Sequence, residues 1–217
     1  KSTDRFRLAF TIIIVNRCRM AQVKKTSVRD AILESATELF TEQGYSNTTL
    51  ADISRKASVT MSNIYNYYDS KLDVLFAIYE PWLDERIDFV AEETEKIKAP
   101  KERMRYLLKY LFSELPADTN CFANNFMQAI VTRKSDEIYT RDLLLRSEEK
   151  ISEIIRNAIP DSFKEGLSDN IMTHFLFMAH DGFVINYALN GPSRRVDAII
   201  DLLCNMIFNS EPVESSS

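Results

Sequence analysis

Two short runs with helical apolar spacing, LADISRKA (50–57) and TMSNIYNYY (60–68), have only Ser58 and Val59 between them. So short a joint turns the second run steeply off the first and packs the two together, as in a helix-turn-helix. Thr49 stands before the first run with Asp52 at its third helical position, a capping-box start that also suits the helix dipole. Thr60 caps the second run. In this arrangement the second helix enters the DNA major groove and its N-terminal residues meet base edges. The tyrosines and asparagines of 60–68 then have a surface to work against. Tyr65 and Tyr67 would donate hydroxyl hydrogen bonds to phosphates, and Asn63 would read adenine through two bonds. Thr60, Met61 and Ser62 would meet thymine methyls and mixed edges. Ile64 and Val59 would face inward. The spacing also fits a tyrosine-rich helix used as core or as an oligomer contact, since such shapes occur in bundles that never touch nucleic acid.

The rest of the chain also punctuates itself as helices. Before the two short runs, Ser27 can cap a helix whose apolar positions Val28, Ile32, Ala36, Leu39 and Phe40 recur at helical spacing, with Gly44 ending it. Ser70 opens a long run from Lys71 to Ile97. Pro81 lies inside it and predicts a kink or break. The remaining prolines and turns divide the chain into about five more helices, near 100–115, 119–133, 136–159, 168–189 and 193–209. Period-two alternation is nearly absent. The expected fold is all-α with about nine helices: a three-helix unit at 26–75, a larger bundle at 76–209, and a polar tail at 210–217.

Residues 1–75 carry 11 Lys and Arg against 8 Asp and Glu, whereas residues 76–217 carry 16 against 24. A basic end on an acidic body points to polyanion contact at one end only. Residues 1–25 form an N-terminal extension. Within it, 1–19 read either as sequence upstream of a natural start at Met20 or as a basic arm for nucleic acid. LAFTIIIV (8–15) is too short to span a bilayer, and no small-residue cleavage site follows it. Cys18, Cys121 and Cys204 are far apart and form no CxxC pair, which fits a reducing cytoplasm and argues against a disulfide framework or a zinc site.

Nothing in the sequence calls for an enzyme, a cofactor or a metal. His174 and His180 are six apart and so do not share a helix face, and there is no G-x-S-x-G elbow, phosphate-cradling glycine loop or HExxH.

The segment RDAILESATELFTEQGYSNTTLADISRKASVTMSNIYNYYDSKLDVL resembles the DNA-binding domain of the tetracycline-repressor (TetR) family of bacterial regulators. The resemblance rests on Ile32, Ala36, Leu39, Phe40, Gly44, Tyr45, Thr48, Thr49, Ile53, Ala57, Val59, Tyr65, Tyr68, Lys71 and Leu75, in order and without gaps. It implies that Thr49, Lys71, Tyr65 and Tyr67 contact phosphates, while residues 60–63 and Asn66 read bases. Ser58 replaces the family's turn glycine, at a cost of about 1 kcal/mol if the position keeps a positive φ. Ser54 replaces a common alanine. Met61 and Ser62 depart from a frequent Lys-Gly pair and leave the operator sequence open.

Residues 178–208 are similar to the family's last two helices. The resemblance implies a homodimer through Gly182, Val184, Val196, Ile199, Ile200, Leu203 and Ile207, with Gly182 allowing close approach. It also implies that part of the bundle is hollow and holds a small effector. Candidate lining residues are Trp82, Tyr106, Tyr110, Phe126, Met127, His174, Phe175 and Met178, with Asn124, Asn125, Gln128 and Asn186 as further polar groups. Without a dense Lys and Arg set, the expected effector is mainly apolar. The implied partners are operator DNA, the effector and a second copy of the chain, with no membrane. The expected function is a one-component regulator, a repressor released by the effector. A constitutive DNA-binding protein with a filled core and an activator are the alternatives.

Overall fold

The computed structural model describes residues 27–133, 141–160 and 171–209, and the chain divides after Leu75 into two compact units. The expected extension at 1–25, with LAFTIIIV and Cys18, the tail at 210–217, and the first residues of the helices expected at 136–159 and 168–189 lie outside the described residues. The described chain is all-helical. Its helices are α1 (27–43), α2 (Leu50–Lys56), α3 (Met61–Tyr65), α4 (Lys71–Glu95), α5 (Pro100–Lys109), α6 (Phe122–Val131), α7 (Asp142–Ala158), α8 (Ile171–Asn190) and α9 (Val196–Phe208). Ser27 is already helical, so it stands inside the described part of α1 rather than before it. No helix among the described residues is long and apolar enough to cross a membrane.

In the first unit, Ile32, Ala36, Phe40, Ile53, Ile64, Leu72 and Leu75 close a small core, with Tyr45 and Tyr68 at its edge. Burying each large aliphatic or aromatic side chain contributes about 1.5–3 kcal/mol relative to leaving it exposed. Gly44 ends α1 at φ 82°, a left-handed position that favours glycine. Thr48 is fully buried, and its hydroxyl reaches the Gly44 carbonyl at 2.9 Å.

α4 runs from Lys71, in the first unit, to Glu95 with Pro81 inside it, so of the expected kink or break no break occurs. The Pro81 ring is exposed, while Tyr79, Trp82, Leu83, Ile87 and Val90 hold the helix to the core on both sides of it. α5 packs on α7 and α9, and α8 packs on α6 and α7. Ion pairs link Lys150 to Asp84 and Asp88 and join Arg105 to Asp201, while Lys101 donates to the Asn205 amide at 3.1 Å. A feature the periodicity did not foretell follows α5. Residues Tyr110–Glu114 form a π-helical turn, in which the Leu115 N–H reaches back to the Tyr110 carbonyl.

Candidate functional site

The joint between α2 and α3 is fastened twice. The Val59 N–H donates to the Ser54 carbonyl at 3.0 Å, and the Ser54 hydroxyl donates to the Val59 carbonyl at 2.6 Å. The serine that replaces the family's alanine thus gains a bond of its own. Ser58 adopts φ 55°, the left-handed conformation in which a side chain is strained.

Both short helices begin with complete capping boxes. Thr49 and Asp52 exchange bonds at the start of α2, and Thr60 and Asn63 do so at the start of α3. The Asn63 Oδ1 accepts from the Thr60 N–H at 3.1 Å and from the Thr60 hydroxyl at 2.6 Å. An N–H can only donate, so the atom facing it is the carboxamide oxygen, and both its lone pairs are taken. The expected two-bond reading of adenine needs that oxygen free and so would require the cap to open. With the cap intact, Asn63 can offer only its NH₂ donors.

Ile64 is fully buried and is the one α3 residue in the core. Thr60, Ser62, Tyr65 and Asn66 are exposed, and Met61, Asn63 and Tyr67 are half-buried. Lys71 turns inward: its Nζ donates to the carbonyls of Tyr45 at 2.7 Å and Thr48 at 2.8 Å, and lies 3.9 Å over the Tyr45 ring. The ammonium thereby ties the loop after α1 to the start of α4.

The second unit contains a cavity of about 220 Å³, walled by α4, α6, α7, α8 and the π turn. Tyr79 and Phe126 stack at 4.3 Å on one wall, and Leu83, Leu143, Ile151 and Leu176 supply apolar surface. Of the expected lining residues, Phe126, Met127 and Met178 do line it. Trp82 and Tyr110 are instead buried in the core beside Phe122 and Phe89 respectively. Tyr106 is half-buried against that core. His174 lies on the surface with Nδ1 3.0 Å from Glu148, and Phe175 is exposed. Asn124, Asn125, Gln128 and Asn186 do not line the cavity either.

Besides the Tyr79 phenol, its polar lining among the described residues is Ser147, His180 and Asp181, none of them expected there from the sequence. The available signal was a polar residue on an apolar stripe, such as Ser147 between Leu143 and Ile151. The His180 Nδ1 donates to the Leu111 carbonyl of the π turn at 2.7 Å. Burial pushes the His180 imidazole below its ordinary range and the Asp181 carboxyl above its own.

The expected dimer residues divide. Val184, Ile200 and Ile207 are buried within the subunit, and Val184 lines the cavity. Val196, Ile199 and Leu203 are half-buried against the same core. The exposed apolar face of α8 is instead Ile171, Phe175, Met178, Ile185 and Leu189, with Leu202 and Met206 on α9. Gly182 falls on the α8 stripe, and nothing lies within 4 Å of where its Cβ would stand.

The first unit thus presents a capped, exposed short helix on a helix-turn-helix, and the second unit holds an apolar cavity. Residues 32–78 match the profile of bacterial regulatory proteins, tetR family, so the match falls on the helix-turn-helix unit and the start of α4. The fatty acid metabolism regulator protein of Bacillus subtilis is 25% identical over 194 residues, covering 82% of this chain and 94% of that one. A solved structure of the regulator FadR from Bacillus subtilis in complex with stearoyl-CoA superposes with TM-score 0.56 at 20% identity, over 83% of this chain and 98% of that one. A transcriptional regulator from Saccharomonospora viridis in complex with choline gives 0.60 at 21%, over 84% and 96%.

Proposed function

We propose that the chain is a homodimeric repressor that holds operator DNA through residues 26–75 and is released when a small, mainly apolar effector enters the bundle of residues 76–209. The observation that carries this is the apolar cavity inside the second unit of a chain whose first unit is a helix-turn-helix. The stearoyl-CoA and choline complexes of two proteins of the same fold support a bundle that accepts small molecules. Bases would be met by residues 60–63 and Asn66, and phosphates by Thr49, Tyr65 and Tyr67. The dimer would form through the exposed stripe of α8 and α9, with the notch at Gly182 letting two helices approach closely.

α4 supplies Lys71 to the first unit and Tyr79, Leu83 and Ile87 to the cavity, so an occupant that favours one setting of α4 would alter DNA affinity. Operator sequences selected from a random DNA pool, then challenged with a library of apolar compounds, test the reading. Compounds that raise the melting temperature and weaken the operator complex are expected. A library that stabilises nothing and releases nothing would make the chain a constitutive DNA-binding protein.

A further inference from the structure

Besides the Tyr79 phenol, three groups among the described residues break the apolar wall of the cavity. Ser147 is 1% exposed, and its hydroxyl has no hydrogen-bond partner, an uncommon state for a buried polar group. With His180 Nδ1 donating to Leu111, the imidazole is the tautomer whose Nε2 carries a lone pair. Asp181 makes no hydrogen bond or ion pair, and among the described residues no lysine or arginine lines the cavity. Their polar inventory is therefore a carboxylate, an imidazole lone pair and a hydroxyl. Among the described lining residues the one formal charge is negative, and the groups facing it can accept.

We infer that the effector is a compact amine, its protonated nitrogen held by Asp181 with His180 Nε2 and Ser147 as further acceptors, and its ring or short chain packed between Phe126, Leu83 and Leu176. The inference rests on the reading that the cavity is regulatory, and adds the chemical class of its occupant. Size sets a second limit. A dry cavity of about 150 Å³ accommodates benzene, so 220 Å³ suits roughly eight to ten heavy atoms. A carboxylate of the same size would bring a second negative charge beside Asp181 with no cation to offset it. Burial that raises the Asp181 carboxyl is what an acidic group without a cation beside it should show, and an ammonium would reverse it.

Three isosteres test the charge: 2-phenylethylamine, 2-phenylethanol and phenylacetate, titrated calorimetrically into the full chain and into its complex with selected operator. The amine should bind about tenfold or more tightly than the alcohol, the size of one charge-assisted hydrogen bond, and should release DNA. Phenylacetate should bind weakest. Asp181→Asn relieves an unpaired half-buried charge and so should fold, and should bring the amine down to the alcohol's affinity. Ser147→Ala should weaken amine and alcohol alike. Phenylacetate binding as tightly as the amine, an amine preference that survives Asp181→Asn, or no binding by the amine would overturn the inference. If neutral apolar compounds still release DNA in any of those cases, the effector reading stands without the amine. If no compound of any charge binds, both fall.

Discussion

The carboxamide oxygen of Asn63 accepts two hydrogen bonds from Thr60, so a residue proposed to meet DNA also holds the start of its own helix. Asn63→Ala should lower stability by about 0.5–2 kcal/mol, the usual value of a cap, as well as altering DNA recognition. Asn63→Asp keeps an acceptor for Thr60 while replacing the NH₂ donors with negative charge. Its melting temperature should match the parent and its DNA affinity should collapse. Thermal melts beside binding curves check both. An aspartate variant that binds DNA normally would remove Asn63 from the interface.

Ser58 is held at φ 55°. Glycine there would lose the left-handed strain and pay back part of it as chain entropy, for a net stabilisation of about 0.5–1 kcal/mol. Urea denaturation should show a higher midpoint with unchanged slope.

Lys71→Met keeps the aliphatic stem and removes the ammonium that joins the Tyr45 and Thr48 carbonyls. Charge-assisted bonds of this kind lead us to expect a loss of about 1–3 kcal/mol. A phosphate contact adds a separate expectation, a fall of about one in the salt-dependence slope of DNA binding. Unchanged stability with the reduced slope would assign the ammonium to DNA alone.

His180 has its imidazole pushed below the ordinary value of 6.5 by burial. Below pH 6.5 the unfolded chain takes up a proton that the folded chain refuses, so stability falls as pH drops from 6.5 toward the depressed folded value. The limiting slope for one proton is about 1.4 kcal/mol per pH unit. Asp181 acts in the opposite sense: its raised carboxyl loses stability as pH rises above 3.8. His180→Asn can still donate to Leu111 but cannot titrate. Between pH 6.5 and 5.5, wild type should lose more stability than this variant, as measured by denaturant midpoints.

Two glutamate substitutions separate interface from core. Leu189→Glu falls on the exposed stripe, where Leu189 is 76% exposed, and should give folded monomers with weak operator binding. Ile200→Glu puts a carboxylate where the side chain is 1% exposed and should unfold the subunit. Light scattering with circular dichroism distinguishes the outcomes.

The first unit was the more legible in sequence because its helices are short, capped and apolar on one face only. Ile64 inside and Tyr65 outside follow from that period. α8 was less legible, since both its faces carry large apolar residues. Its inner face even includes Thr173 and His180, while Ile171, Phe175 and Leu189 face out. Periodicity finds such a helix but does not say which side is buried, so Val184 and Phe175 were expected on each other's sides. The cavity was harder still. A void is set by what neighbouring helices fail to fill, and no local pattern records it. The unbroken α4 shows the same limit: proline removes a local bond to the Ala77 carbonyl, while the contacts that keep the helix whole come from distant residues.

α3 commits one side chain, Ile64, to the core, and its start is secured by residues at the joint and the cap. Most of its outward positions can therefore change without disturbing what holds the helix in place. Lineages descended from such a chain could move between DNA targets by single substitutions at Met61, Ser62 or Asn66, each nearly neutral for folding. Asn63 is the exception, and it would be the slowest of these positions to drift.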